Sequence, residues 1–148
     1  MSLRFNYRSA NEPAFQAMLK IETFASKSGL DKRLYEFIKI RASQINGCAY
    51  CLDMHTKDLR AMGETEQRIH LISVWRESGD FFTDEEKAVL ELTEAVTEIS
   101  KAGVSKELYE KVRTYFDEKQ YVDIIMAINV INNWNRLAIS TGMYPECF

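Results

Sequence analysis

Proline is almost absent from this chain of 148 residues, and its six glycines stand far apart. The two prolines, Pro13 and Pro145, lie near the ends, so none interrupts the long central stretch. The residue that most strongly breaks helices is therefore missing where helices would run, while single glycines mark places where helices would end. This pattern predicts helices joined by short turns.

Seven segments carry the start signals or apolar repeats of helices. Asn11 would cap the first helix, which closes near Gly29, and Asp31 would cap the second, which runs to about Ile45. In the second, apolar residues recur at spacings of three and four, which indicates an amphipathic helix. The remaining five helices are expected at about 48–61, 65–75 and 83–100, from 105 onward, and at about 120–140.

The last predicted helix, at about 120–140, carries apolar residues on nearly every face. A helix of this kind is buried, either at the centre of the fold or at a subunit interface. No segment alternates between polar and apolar residues for long enough to predict a strand. We therefore expect one all-α domain over residues 1–148, built as a bundle of about seven helices.

Charge and composition argue against several classes of partner. Nineteen Lys and Arg residues stand against 22 Asp and Glu residues, and a net charge of −3 offers little to a nucleic acid. No apolar run approaches the roughly 20 residues that cross a bilayer. The first residues lack the apolar segment of a secretory signal. We expect a cytoplasmic protein with neither a nucleic acid nor a membrane as partner.

One cluster points to chemistry, the C-x2-C-x3-H pattern of Cys48, Cys51 and His55 at the start of the third helix. At about 100° per residue, the three side chains share one helix face. Cys51 and His55 are four positions apart, the spacing that brings side chains on consecutive turns into contact. Cys48 gains more from the helix dipole, but proton transfer requires direct reach. We therefore favour Cys51 as the nucleophile and His55 as its base, since the thiolate is the reactive form.

The second cysteine completes a redox cycle. A hydroperoxide would convert one thiolate to a sulfenic acid, and the other cysteine would condense with it to a disulfide. An external dithiol, either a small molecule or a reductant protein, must then reduce that disulfide, and no cofactor is required. Glu36 on the second helix could reach His55 if the turn at Asn46 and Gly47 folds the two helices together, and it would then orient or charge the imidazole.

The full pattern, E-x11-C-x2-C-x3-H, resembles the alkylhydroperoxidase D-like core of the carboxymuconolactone decarboxylase superfamily. Residues 41–48 (RASQINGC) and 133–138 (NWNRLA) are also similar to that family, and the resemblance covers about residues 34–137. It implies an all-helical homo-oligomer, commonly a trimer or hexamer, that acts as a thiol-dependent peroxidase on hydrogen peroxide or organic hydroperoxides in antioxidant defence. The roles that it implies are peroxidatic cysteine for Cys51, resolving cysteine for Cys48, base for His55 and relay carboxylate for Glu36.

Tyr50 departs from the pattern of the characterised peroxidase, which has a histidine between its two cysteines. This difference bears on the peroxidase rate and on the choice of reductant. The decarboxylase branch of the superfamily generally lacks the paired cysteines, so the motif does not favour decarboxylation.

Other interpretations of the motif stay open. Cys48, Cys51 and His55 could bind a zinc ion with Cys147 or Glu36 as the fourth ligand, although a closed zinc site usually draws on a second cysteine or histidine pair. The cysteines could also be buried simply as small apolar residues. A redox-responsive binding protein, or a disulfide reductase or adapter, could use the same cysteine pair without peroxidase activity.

Several residues outside the motif are given no chemical role. We expect Cys147 to be a mobile bystander near the C-terminus and His70 to be solvated. Trp134 and Arg136 are expected to pack in the core or in an interface.

Overall fold

The computed structural model describes residues 2–148, and every regular element in this range is helical. The α-helices are α1 (Tyr7–Ala10), α2 (Glu12–Ser26), α3 (Lys32–Asn46), α4 (Ala49–Ala61), α5 (Glu66–Leu71), α6 (Asp84–Thr97), α7 (Ile99–Ala102), α8 (Lys106–Arg113) and α9 (Glu118–Thr141). Two 3₁₀ segments, Ile72–Glu77 and Gly79–Phe81, connect α5 to α6. The prediction of an all-α bundle is confirmed.

Side-chain caps begin the helices where the sequence indicates them. Asn11 accepts a hydrogen bond from the Ala14 N–H at 3.1 Å, and Asp31 accepts one from the Leu34 N–H at 3.0 Å. Thr83 forms the capping box at the start of α6. Each cap satisfies a backbone donor that has no partner inside the helix, which fixes the first turn.

Two short helices and one 3₁₀ segment depart from the seven predicted helices. Helix α1 buries no side chain, so its four residues leave no apolar repeat in the sequence. The predicted helix at 83–100 is divided at Glu98, whose φ of −107° and ψ of 38° lie outside the helical region. The predicted helix at 65–75 changes to 3₁₀ geometry after Leu71.

Helices α3 and α9 form the centre of the bundle. Helix α9 packs against α2, α3 and α6, and α3 packs in addition against α4. Contact on several sides explains why the sequence of α9 is apolar nearly all round, although Val122 and Ile139 remain exposed. The interpretation of this helix as a central one is therefore correct.

Across residues 2–148, each helix is too short or too polar to pass through a bilayer.

Candidate active site

A tight turn brings α3 and α4 together at the cysteine motif. Helix α3 ends at Asn46, and Gly47 follows with a φ of +71°, in the left-handed region that glycine adopts without strain. The Cys48 N–H then donates to the Ser43 carbonyl at 3.0 Å. Cys48 is the N-cap residue of α4, and Cys51 follows in its first turn. The turn therefore folds the two helices against each other, as the sequence predicts.

The sulfur atoms of Cys48 and Cys51 lie in direct contact. Their Sγ atoms are 2.8 Å apart and share a hydrogen bond, and the Cys51 backbone N–H points at the Cys48 Sγ from 3.4 Å. Both side chains are buried, with 2% of each residue exposed. We call Cys48 and Cys51 the dithiol pair. A bond between the two sulfurs therefore requires little movement of the backbone.

This contact gives the two thiols different acidities. A hydrogen bond from the Cys51 thiol lowers the pKa of Cys48 to about 7, against the opposing effect of burial. The same hydrogen bond raises the pKa of Cys51, as do burial and the charge on Cys48, because a second thiolate in the pair would face the first. The first proton to leave the pair is therefore that of Cys48. This order differs from the sequence-based expectation that His55 activates Cys51 directly.

Glu36 on α3 meets His55 on α4. The His55 Nδ1 lies 3.0 Å from the Glu36 Oε2, and both side chains are buried. Neither atom has a hydrogen-bond partner elsewhere in residues 2–148, so a proton on Nδ1 satisfies both and leaves Nε2 as an acceptor. Burial by itself would raise the pKa of Glu36, but His55 and Lys39 together lower it. The structure thus joins the two helices through the carboxylate–imidazole contact that the sequence predicts.

Further charged residues continue from Glu36. The Lys39 Nζ lies 3.0 Å from the Glu36 Oε1 and 3.6 Å from the Glu22 Oε1. Glu22, on α2, accepts hydrogen bonds at 2.9 Å from the Tyr35 O–H and from the Trp134 Nε1–H. We name this set the carboxylate network: Glu22, Glu36, Lys39 and His55.

The sequence analysis did not assign a role to Glu22 or Lys39. Lys39 stands three positions after Glu36 on the same helix, so local spacing could have revealed that pair. Glu22 lies on a different helix, and no local pattern connects it to the motif. Trp134 packs against the core, as expected, and in addition lines the cavity and donates its N–H to Glu22.

A cavity of about 440 Å³ opens between the dithiol pair and the carboxylate network. Cys51, His55, Lys39 and Glu22 line it, and Cys48 is not part of its wall. Its apolar lining includes Phe15, Leu19, Met54 and Trp134. Within the described chain, no hydrogen bond connects His55 to either sulfur. The Cys51 thiol and the His55 imidazole therefore line a common space with no hydrogen bond between them.

Helix α9 supplies buried amides beneath the dithiol pair. Asn135 is fully buried, donates to the Ser43 Oγ at 3.0 Å and accepts from the Asn46 Nδ2 at 2.9 Å. Hydrogen bonding by Asn135 lowers the pKa of both thiols. The residue lies in the family-like segment at 133–138, but nothing in the sequence alone connects it to the cysteines.

The arrangement does not gather the ligands of the predicted zinc alternative. Among residues 2–148, the ligand atoms that cluster within 4.8 Å of one another belong to Glu36, His55 and Asp58. The cysteines are outside this cluster, and the Lys39 ammonium already lies 3.0 Å from the Glu36 carboxylate. A cation at the same carboxylate would be repelled by that ammonium.

The other residues singled out by the sequence lie in varied surroundings. His70 is exposed, as expected, and Cys147 is partly buried against the core. Tyr50 lines the cavity and accepts a hydrogen bond from Arg8 at 3.0 Å. Arg136 is exposed and lines a separate groove between α2 and α9.

Comparisons with known proteins place the chain among relatives of the same length. It is 48% identical over 142 residues to the uncharacterized protein YdfG of Bacillus subtilis, a match that covers 96% of each chain. A solved structure of ATU0492, a protein of unknown function from Agrobacterium tumefaciens that also carries the name AhpD, is 43% identical. It superposes with a TM-score of 0.94, over 97% of this chain and 99% of that one.

A shorter match links the chain to a named enzyme. It is 33% identical over 63 residues to the alkyl hydroperoxide reductase AhpD of Bradyrhizobium diazoefficiens, covering 40% of this chain and 34% of that protein. Residues 12–95, which include the dithiol pair and the carboxylate network, match the carboxymuconolactone decarboxylase family. The chain therefore belongs to the carboxymuconolactone decarboxylase family, and its fold is AhpD-like.

Proposed function

We propose that the protein is a thiol-dependent peroxidase that reduces hydrogen peroxide or organic hydroperoxides through a dithiol/disulfide cycle of Cys48 and Cys51. One observation carries the proposal: two sulfurs lie 2.8 Å apart, and one of them faces a cavity that it shares with a buried histidine. The partial similarity to an alkyl hydroperoxide reductase supports the same reaction class.

Cys51 is the attacking sulfur in this proposal, because it lines the cavity and Cys48 does not. The resting dithiol ionises first at Cys48, so Cys51 must lose its proton before it attacks. The Cys48 thiolate lies 2.8 Å away and can take that proton, which moves the negative charge onto Cys51. Cys51 is therefore the attacking sulfur because the substrate can reach it. Its thiolate forms when its proton moves along the shared hydrogen bond to Cys48.

The first step oxidises Cys51 and reduces the peroxide by two electrons. The Cys51 thiolate attacks one peroxide oxygen, so that an S–O bond forms and the O–O bond breaks. The other oxygen takes a proton and leaves as an alcohol, or as water when the substrate is hydrogen peroxide. Cys51 becomes a sulfenic acid.

The second step converts the sulfenic acid to a disulfide. Cys48 releases the proton that it took from Cys51, and its thiolate attacks the Cys51 sulfur. An S–S bond forms, the S–O bond breaks, and the released proton converts the departing hydroxide to water. An external dithiol then donates two electrons and two protons and restores the resting pair. The reductant is either a small dithiol or a protein that presents one.

His55 transfers protons to and from the reacting oxygens in this scheme. With Nδ1 held by Glu36 at 3.0 Å, Nε2 accepts a proton released by the dithiol and returns it to the leaving oxygen. The Glu36 carboxylate stabilises the positive imidazolium that forms between these transfers. Lys39 holds that carboxylate in place, and Glu22 contacts Lys39 from its other side.

Peroxide consumption in the presence of dithiothreitol tests the proposal. The wild-type protein is expected to consume many equivalents of cumene hydroperoxide per subunit, and Cys51→Ser to consume almost none. Cys147→Ser is the matched control, since Cys147 lies outside the dithiol pair, and it should retain wild-type turnover.

Other outcomes contradict the proposal in distinct ways. Consumption of one equivalent of peroxide with no further turnover would favour a redox-responsive binding protein. Turnover of small disulfides without turnover of peroxide would favour a disulfide reductase or adapter.

A further inference from the structure

Arg8, on α1, lies in the wall of the cavity, and no carboxylate among residues 2–148 forms an ion pair with it. One terminal nitrogen of its guanidinium donates to the Tyr50 hydroxyl at 3.0 Å. The group lies over the rings of Phe15 and Phe148, 5.7 and 4.8 Å from their centroids. Its Nε is shielded from solvent and has no hydrogen-bond partner in the described part of the chain. Burial lowers the pKa of Arg8, and Tyr7 and Tyr50 together outweigh it and raise that pKa.

Lys39, the other cationic side chain of the cavity wall, differs from Arg8 because it has acidic partners. Its ammonium lies 3.0 Å from one carboxylate and 3.6 Å from another, so its charge is already balanced. Asp58, an exposed acid of the same wall, lies 3.7 Å from the His55 Nδ1. Beside His55 the site therefore holds three carboxylates, those of Glu22, Glu36 and Asp58, and one ammonium, that of Lys39. The Arg8 guanidinium, by contrast, has no carboxylate within ion-pair distance among residues 2–148.

We propose that Arg8 binds the carboxylate of an organic hydroperoxide, so that hydroperoxides of carboxylic acids are the preferred substrates. The inference rests on the proposed peroxidase function. A guanidinium presents its donors in the planar arrangement that a carboxylate accepts, and a partly buried guanidinium gains more from an ion pair than an exposed one. Such a ligand also supplies the anion that Arg8 lacks among residues 2–148.

The lining of the cavity fits the remainder of such a substrate. Phe15, Leu19, Met54 and Trp134 provide apolar surface for a hydrocarbon body in the same space as Cys51. About 440 Å³ is within the usual range of small-molecule sites, roughly 300–1,000 Å³. The peroxide group would react at Cys51 as described above, and the acid would leave as the corresponding hydroxy acid.

Tyr50 acquires a role in this arrangement. Its hydroxyl holds the Arg8 guanidinium at the cavity wall, 3.0 Å away. The characterised peroxidase that the motif resembles has a histidine at the matching position, and that side chain would be a poorer acceptor for a guanidinium whenever it is protonated. Tyr50, which stands where the characterised peroxidase has a histidine, thus serves substrate recognition rather than proton transfer.

Matched pairs of acid and ester substrates test the inference. One pair is cumene hydroperoxide with a para-carboxylate and its methyl ester; the other is 13-hydroperoxyoctadecadienoic acid and its methyl ester. The measured quantity is the ratio of kcat/KM for the acid to kcat/KM for the ester. We expect a ratio of about ten in the wild type for at least one pair, mainly through a lower KM, as one charge-assisted hydrogen-bonded pair provides.

Three variants separate the charge of Arg8 from its packing. Arg8→Met keeps a long side chain against the aromatic rings and should bring the ratio to about one, whereas Arg8→Lys should retain part of the preference. Arg4→Met is the control, because Arg4 lies in the same terminal segment, donates to the Ser140 carbonyl and does not line the cavity. It should keep the wild-type ratio.

The failure of this inference is distinguishable from the failure of the proposed function. If the wild type and Arg8→Met both turn over the substrates with the same acid-to-ester ratio of kcat/KM, Arg8 does not bind the carboxylate. The proposed peroxidase function would still stand in that case. A wild-type protein that turns over neither the four substrates nor hydrogen peroxide overturns both.

Discussion

The dithiol pair and the carboxylate network border one cavity, and they are built in different ways. The dithiol pair comes from four consecutive residues of one helix turn, and its polar neighbours are backbone groups and neutral amides. The carboxylate network comes from α2, α3 and α4, is braced by Trp134 of α9, and contains two acids, a lysine and a histidine. Among residues 2–148 the reacting sulfur has no hydrogen bond to the charged groups that control the proton, and both border the space that a substrate would fill.

The largest expected effect comes from breaking the dithiol pair at the sulfur that does not face the cavity. Cys48→Ser should react with peroxide at Cys51 more slowly than the wild type, because no Cys48 thiolate takes the proton of Cys51 and His55 must take it alone. No disulfide can form in this variant, so the sulfenic acid of Cys51 should persist. Mass spectrometry after trapping with dimedone measures it. In Cys51→Ser, by contrast, Cys48 should resist oxidation because it does not line the cavity. Rapid formation of a sulfenic acid on Cys48 in that variant would exchange the roles of the two cysteines.

Removing the imidazole tests the carboxylate network. His55→Gln should lower kcat/KM for peroxide by about 10²- to 10⁴-fold, the range expected for loss of a positioned acid–base group. Glu36→Gln should cost about tenfold, because the imidazole remains but loses the charge that stabilises its protonated form.

Asp58→Asn is the control for these two variants. Asp58 also faces the His55 Nδ1, but from 3.7 Å and with an exposed side chain, so kcat/KM should change little. If Asp58→Asn cost as much as Glu36→Gln, the buried carboxylate would have no special part in proton transfer.

The pH dependence of thiol ionisation tests the dithiol pair itself. Because the pKa of Cys48 is lowered to about 7, the ultraviolet absorbance of its thiolate should rise with pH through a midpoint near 7, whereas an ordinary thiol has its midpoint near about 8.5. Below the midpoint, Cys48 holds its proton and the thiolate absorbance should be low. The absorbance difference between the reduced and the oxidised protein, in a Cys147→Ser background, measures the profile.

Asn135→Ala should move that midpoint to higher pH, since Asn135 lowers the pKa of both thiols. It also removes the hydrogen bond to the buried Ser43 hydroxyl, at a cost of about 1–3 kcal/mol in the free energy of unfolding, whereas the Asn46 amide keeps the Asn132 Oδ1 as an acceptor. Asn133→Ala, at an exposed position of the same helix, should leave the midpoint unchanged. A midpoint unaffected by both changes would show that α9 does not tune the dithiol pair.

The same contrast explains which parts of the site the sequence could predict. The dithiol pair and His55 share one helix, so residue spacing alone places them on one face, and Glu36 follows from the turn that joins its helix to theirs. Glu22, Asn135 and Arg8 are brought to the site by packing between helices distant in sequence, and no local pattern predicts such contacts. The fold shows the same limit: capped, periodic helices are predictable, whereas α1, which buries nothing, is not.

The smallest effect is expected at Glu22, the outer member of the carboxylate network. Both of its carboxylate oxygens accept hydrogen bonds, one from Tyr35 and one from Trp134. Glu22→Gln has a single acceptor oxygen at the same place, so one of the two donors loses its partner. Because the Glu22 side chain is 28% exposed, water can replace part of the loss, and we expect a decrease of about 1 kcal/mol in the free energy of unfolding. Urea denaturation followed by tryptophan fluorescence measures this change.

Activity should respond far less than stability to this substitution. The Glu36–Lys39 contact at 3.0 Å does not depend on Glu22, so His55 keeps its carboxylate and kcat/KM should fall less than about threefold. Glu77→Gln, at an exposed position outside the network, is the control and should change neither quantity. A tenfold loss of activity in Glu22→Gln would contradict this expectation. It would mean that Glu22, on α2, also takes part in proton transfer at His55.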